Sequence, residues 1–522
     1  MNMKEEIKRL ESYREAARQG GGPEEIEKQR KAGKLTARER IDRLLAPGTF
    51  IETGMFLGHD FSPKEEEKTF GDGIIAGWGE IDGRKVCVMA HDRTIHRGSV
   101  GRVGRSKYCE LVEIATQSGV PFIGLIDAPG ARIEVPRLGV PDHGFLRFSF
   151  FKRHVLASGV IPQISAILGT CAGNAVFAPA LTDFIIMVEG IANMVYTGPR
   201  VIRVIKEVTH KEATIEELGG AEVHSRLSGV ADFRVRSEDE CFQLIRKLLS
   251  FLPQNCREKP PRIKTEDDPN RNVDGLEELV PTESSESYDM HKVIEIIVDE
   301  GNFLEVKSEF AKNVIVGFAR LNGRSVGIVA SQPSFLAGAL DIDSSDKESR
   351  FISFCDAFNI PLIFLIDNTG YLPGVKQEHG GIIRHGAKAL YTIAEATVPK
   401  LSVILGKATG GGMSGSGGEK DLGIDRVFAW PIAQRQIMSP EGAVEVLFKR
   451  EIAQAENPEE FRQQKIEELR SLLSGPYYSA ATEEIDEVIK PGETRQRLIA
   501  ALELLANKAE PRHYKKHGVM PV

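Results

Sequence analysis

Gly77-Trp78-Gly79-Glu80-Ile81-Asp82-Gly83-Arg84-Lys85-Val86 decides the fold, because the chain contains its pattern twice. Gly317-Phe318-Ala319-Arg320-Leu321-Asn322-Gly323-Arg324-Ser325-Val326 repeats Gly77, Gly83, Arg84 and Val86 at an offset of about 240 positions. The same offset carries Gly98 onto Gly338, Lys107 onto Lys347, Pro121 onto Pro361 and Asp127 onto Asp367. A gapless register over roughly fifty residues is not a chance event. Upstream, Gly48-Thr49-Phe50-Ile51-Glu52 answers to Gly301-Asn302-Phe303-Leu304-Glu305, and downstream Val160-Ile161-Pro162 and Gly169 answer to Thr397-Val398-Pro399 and Gly406. The chain is a tandem duplication.

Working outward, 522 residues exceed what one core serves, which predicts two domains of about 250 residues each. Residues 1–258 form the first and 288–522 the second. Residues 259–287, with Pro260-Pro261 and Asp267-Asp268-Pro269-Asn270, read as the linker. The net charge of −8 and the lack of a basic run argue against nucleic acid. The six cysteines show no CxxC and no ligand spacing, so no metal is expected and buried reduced thiols of a cytoplasmic protein are. No apolar run reaches 18 residues, which excludes a helical membrane span.

Within each half the elements alternate. Asp82-Gly83 is a hairpin turn, residues 104–118 have helical spacing, and Phe122-Ile123-Gly124-Leu125-Ile126 reads as a strand covered on both faces. A second buried strand, Ile161–Leu168, is expected to end at Gly169. The second half replays this with Leu362-Ile363-Phe364-Leu365-Ile366 and Leu401–Leu405. The pattern is α/β layering, with four buried strands running into glycine turns.

Those turns are where chemistry is expected. Ligands of such sheets gather beyond the carboxyl ends of the strands. A glycine turn opening a helix presents unpaired N–H groups and the positive end of the helix dipole. Two N–H groups aimed at one point form an oxyanion hole, suited to an enolate made from a thioester. No nucleophile stands out, and His91, His96, His143 and His154 lack any metal or triad spacing.

Several longer runs carry a resemblance. They include Gly33-Lys34-Leu35-Thr36-Ala37-Arg38-Glu39-Arg40, Ser158-Gly159-Val160-Ile161-Pro162-Gln163-Ile164 and Glu378-His379-Gly380-Gly381-Ile382-Ile383-Arg384-His385-Gly386-Ala387-Lys388. Through these the chain resembles the carboxyltransferase (β) subunits of biotin-dependent acyl-CoA carboxylases, of the propionyl-CoA carboxylase and methylmalonyl-CoA carboxyltransferase type, over nearly its whole length. The resemblance implies two tandem crotonase-type (ClpP/crotonase-like) domains. It also implies acyl-CoA on the first domain, carboxybiotin on the second domain of another subunit, and a homo-oligomer, most simply a hexamer. Biotin would arrive on a separate biotin carboxyl carrier protein served by a biotin carboxylase subunit, since no Ala-Met-Lys-Met setting occurs here.

Carried over residue by residue, the resemblance implies a thioester oxyanion hole at Pro129-Gly130 and a biotin-urea hole at Gly411 and Gly412. Proline donates no N–H, so the first hole falls to Gly130 and Ala131. The same mapping makes Ala172, Gly173, Asn174, Gly370, Thr409 and Gly410 cofactor-binding positions. Pro129, Arg132 and Ser414 bear on acyl specificity. Departures cluster here: Asp127-Ala128-Pro129-Gly130 stands for Asp-Ser-Gly-Gly, Cys171-Ala172-Gly173-Asn174 for Cys-Ala-Gly-Gly, and Asp367-Asn368-Thr369-Gly370 for Asp-Val-Pro-Gly. Residues 134–143 also differ from the usual glycine-rich pocket wall. Three functions are compatible with this: a carboxyltransferase for a propionyl-CoA-like or unusual acyl group, the transferase subunit of a biotin-dependent decarboxylase, and a non-catalytic paralogue.

Overall fold

The computed structural model describes residues 2–58, 70–130, 132, 149–196, 214–282, 286–472 and 475–522. They divide into two compact units, Met1–Glu258 and Lys259–Val522.

The first unit opens with charged helices Met3–Arg18 and Pro23–Lys31. Helix Ala37–Leu44 follows, started by a reciprocal cap between Thr36 and Glu39 that satisfies two otherwise unbonded N–H groups. Its strands are β1 (Ile51–Thr53), β2 (Ile74–Ile81), β3 (Arg84–His91), β4 (Phe122–Ala128), β5 (Gln163–Ala172), β6 (Phe184–Val188), β7 (Asn193–Val195) and β8 (Phe233–Val235). They form one sheet in the order β1-β2-β3-β4-β5-β6-β8, with β7 added along the end of β5. β1 to β3 are antiparallel and the pairs from β3 to β8 are parallel. Positive φ at both Asp82 and Gly83 gives the β2–β3 hairpin a primed turn, whose twist matches that of the strands it joins.

The second unit repeats this order. Its strands are β9 (Phe303–Val306), β10 (Val314–Leu321), β11 (Arg324–Ser331), β12 (Leu362–Asn368), β13 (Lys400–Thr409), β14 (Arg426–Ala429), β15 (Gln434–Gln436) and β16 (Glu487–Val488), ordered β9-β10-β11-β12-β13-β14-β16, with β15 against β13. Register is inherited as well as order. Cys87 pairs with Phe122 and Gly327 with Leu362, and both β4–β5 and β12–β13 carry an irregularity just before their last pair. The repeated lysine is part of this scaffold. Lys107 Nζ donates to the Ile74 carbonyl at 2.8 Å and Lys347 Nζ to that of Val314 at 2.7 Å, tying helix to sheet. Burial lowers their pKa to about 8 and about 7 respectively.

Two expectations change. The strands expected to stop at Gly169 and Gly406 continue through them, to Ala172 and Thr409. These glycines make room rather than turns: a methyl on Gly169 would lie 2.0 Å from Asp127 Oδ1, and one on Gly406 2.4 Å from Asp367 Oδ2. Within 259–287, read as a linker, Val273, Leu276 and Val280 are buried in the core of the second unit.

Candidate functional site

In each unit the two central parallel strands deliver their glycine turns side by side. In the first, Ala128 at the end of β4 pairs with Cys171 of β5. Gly130 adopts φ +123° and packs so close to β5 that a side chain there would lie 3.1 Å from the Ala172 carbonyl. Its own carbonyl accepts from Val100 N–H at 3.1 Å. Ala172 is buried, and the single turn Gly173–Val176 that follows leaves Asn174 exposed. Gly130, Ala172, Gly173 and Asn174 are thus neighbours, while Pro129 is exposed beside them. Ala131 lies outside the described residues, as does the segment 134–143.

Arg132, a specificity candidate from the sequence, is already occupied. Its guanidinium pairs with Asp72 and donates to the Ser99 carbonyl at 2.8 Å, clasping the turn to the start of β2.

Beneath this turn sits a charge cluster that the motif Gly33–Arg40 supplies. Asp127 is completely buried and is met by Lys34 Nζ, Arg40 Nη1 and Gln29 Nε2, each at 3.3 Å. Arg40 also binds Glu238 at 2.6 Å and the Leu168 carbonyl at 2.9 Å, which joins β4, β5 and the two helices over them. Burial lowers the Lys34 pKa, and Asp127 works against it. These ions therefore fix the height of the turn rather than face a ligand.

The second unit builds the equivalent place with different chemistry. Among the described residues no arginine pairs with Asp367; it accepts from Tyr288 Oη at 3.0 Å and from Lys407 N–H at 2.9 Å, and burial raises its pKa. Gly370 adopts φ +117° and its carbonyl accepts from Leu340 N–H at 2.9 Å, as that of Gly130 does from Val100. Asn368 ties the two turns together: its amide donates to the Gly412 carbonyl at 3.2 Å and to Ser416 Oγ at 2.8 Å. It also accepts from Gly370 N–H at 3.3 Å. Thr409 precedes helix Gly410–Gly415, so the N–H groups of Gly411 and Gly412 fall in a first turn, where no intrahelical acceptor exists. Gly411 is exposed and Gly412 buried. Ser414 Oγ is engaged by Glu419 at 2.7 Å. A cleft of about 580 Å³ opens at these strand ends, lined by Thr369, Lys407, Thr409, Gln434, Gln436 and Arg470, among others.

Asn368 carries a role that sequence reasoning missed. The signal available was the replacement of the usual Val-Pro by Asn368-Thr369, which trades an apolar pair for a side chain able to bridge two turns. No group of three metal-ligating side chains occurs among the described residues, and no described helix is long and apolar enough to cross a membrane.

Strand-end glycine turns thus recur at equivalent places in two duplicated α/β units of like strand order. The carboxyl transferase domain matches residues 28–520, and the chain belongs to that family. It is 49% identical to the propionyl-CoA carboxylase carboxyltransferase subunit of Haloferax mediterranei over the full length of both chains. It is 44% identical to the methylmalonyl-CoA decarboxylase subunit alpha of Propionigenium modestum over 99% of each. Among solved structures it is similar to a chain of transcarboxylase 12S, a hexamer assembly with methylmalonyl-coenzyme A and methylmalonic acid bound, with a TM-score of 0.94 and 44% identity, covering 100% of this chain and 99% of that one.

Proposed function

We propose that this protein moves a carboxyl group between carboxybiotin and the α carbon of a short acyl-CoA of the propionyl/methylmalonyl class. Within it, the first unit handles the thioester and the second the biotin ureido group. The observation carrying this reading is the pair of strand-end turns, Gly130 with Ala172–Asn174 and Gly370 with Thr409–Gly412, in a chain alike over its full length to enzymes of that chemistry. The second turn fits a ureido oxygen: Gly411 is exposed, its N–H lacks a helical acceptor, and the adjoining cleft is polar. When bound, biotin supplies the transferable carboxyl and a ureido nitrogen basic enough to hold the α proton.

The protein's own groups then do two things. Gly411 and Gly412 donate backbone N–H groups to the developing ureido oxyanion. Gly130 and Ala131 do the same for the thioester oxyanion, with Pro129 contributing nothing. Losing one such donor costs about 2.7–4 kcal/mol of transition-state stabilisation. A biotinylated carrier protein and a biotin carboxylase are the partners this requires, and the hexamer of transcarboxylase 12S is the assembly we assign to it.

The test is an acyl-CoA panel assayed in both directions with free biotin and with a biotinylated carrier, beside light scattering. Carboxyl transfer with propionyl-CoA or methylmalonyl-CoA, from an oligomer, is expected. Acyl-CoA binding without transfer in either direction would leave the non-catalytic reading standing and sink this one. Net decarboxylation coupled to a membrane partner would assign the direction shared with the Propionigenium relative.

A further inference from the structure

The second unit holds a buried polar cluster. Ser345 Oγ, both carboxyl oxygens of Glu348 and Tyr371 Oη are buried and without a hydrogen-bond partner among the described residues. Ser345 and Glu348 lie one turn apart on helix Ile342–Ala357, so they share a face. Tyr371 follows Gly370 at the end of β12. Both bear on its hydroxyl, whose pKa is raised first by burial and then by Glu348 and lowered by Ser345. Burial raises the Glu348 pKa well above the ordinary carboxylate range. The offset of the duplication sets Arg105, Tyr108 and Ala131 opposite these three residues. In the first unit Tyr108 is satisfied by His154 Nε2 at 2.8 Å.

The Tyr371 ring is held by glycines. A methyl on Gly386 would lie 3.0 Å from the ring and the hydroxyl, and one on Gly415 2.5 Å from the hydroxyl. One on Gly411 would lie 3.4 Å from Cδ2. The ring therefore fills the space between helix Ile382–Glu395 and helix Gly410–Gly415, whose first turn carries the N–H groups assigned to the ureido oxygen.

We propose that Tyr371 is a positioning residue for the biotin half of the reaction: its ring sets the height of the Gly411–Gly412 turn, and Glu348 with Ser345 orients that ring through its hydroxyl. This rests on the function proposed above. Gly386, Gly411 and Gly415 all belong to the second unit, so the acyl-CoA side is predicted to be untouched.

The experiment compares the full-length oligomeric protein with Y371F, Y371L, E348Q and E348A. It measures methylmalonyl-CoA-dependent carboxylation of free biotin, acyl-CoA affinity by calorimetry, oligomer mass and melting temperature. Y371F keeps the wedge but not the hydroxyl, and is expected to lower kcat about tenfold; Y371L removes the wedge and lowers it about a hundredfold. Neither changes acyl-CoA Kd. E348Q, which keeps the size and shape of the side chain, stays within about threefold of wild type, and E348A falls with Y371F. Y371L that carboxylates biotin as wild type does overturns the inference. So does loss of acyl-CoA affinity together with activity, since that marks a general structural role. A wild type that transfers nothing to biotin overturns the proposed function itself, and this inference with it.

Discussion

Gly412→Ala tests whether the close approach of the two second-unit turns matters to chemistry. The added methyl would lie 2.6 Å from Gly370 Cα, 2.7 Å from its carbonyl carbon and 2.9 Å from Asn368 Oδ1. That is roughly 1 Å inside the favourable carbon–carbon separation of about 3.5–4.0 Å. All three obstacles belong to backbone or to a hydrogen-bonded amide, so none swings aside, and the helix start must lift off the β12 turn. Overpacking of this kind costs about 1–3 kcal/mol. For a unit of this size each kcal/mol lowers the melting temperature by about 2–4 °C. A donor moved by roughly 1 Å no longer reaches its oxyanion, and losing one such donor costs about 10²–10³ in kcat. Steady-state carboxylation of free biotin from methylmalonyl-CoA reads kcat, and calorimetry reads acyl-CoA affinity, which stays unchanged. Gly411→Ala is the internal control for packing: its methyl meets nothing nearer than Tyr371 Cδ2 at 3.4 Å, so the melting temperature holds. Gly412→Ala with wild-type kcat and a lowered melting temperature would refute the reasoning, because the clash would then be real and the N–H unused.

Three further outcomes are expected. Pro129→Gly restores an N–H at an exposed position, so turnover of propionyl-CoA rises, by at most the roughly 10²–10³ that one donor supplies, with oligomer and melting temperature unchanged. Unchanged or lower turnover would mean the loop is shaped for another acyl group. Arg40→Met leaves Asp127 and Glu238 buried without their shared cation; breaking such a pair costs about 3–5 kcal/mol, so calorimetric unfolding of the variant comes markedly earlier, and equal melting temperatures would dismiss the cluster as a structural tie. The third concerns pH. The Glu305 hydrogen bond at 3.0 Å and that of Asp289 at 2.7 Å raise His291 to about 9. Because the folded pKa lies above the unfolded one, its stabilising contribution is complete below about pH 6.5 and disappears as pH rises through about 9. Urea titrations of wild type and His291→Gln should therefore differ at about pH 6 and converge above about pH 9, and a gap that persists in alkali would contradict this.

The sequence by itself determined the architecture. A gapless offset between Gly77–Val86 and Gly317–Val326 forces the same hairpin, helix and parallel strands in each half, since pleat and register follow side-chain alternation and turn chemistry, both of which are local. It also pointed to the strand-end glycines as the places for chemistry. Only the tertiary structure decided what each glycine is for. Gly169 and Gly406 lie inside strands because a buried carboxylate, Asp127 or Asp367, occupies the space a side chain would need, and that neighbour is about forty residues away in the chain. It likewise showed Arg132 committed to Asp72, and Val273, Leu276 and Val280 buried in a stretch whose polarity and prolines read as a linker. The wedge of Tyr371 between Gly386, Gly411 and Gly415 was beyond the reach of pattern, because close packing is a relation among residues distant in sequence, whereas propensity and periodicity register only their immediate neighbours.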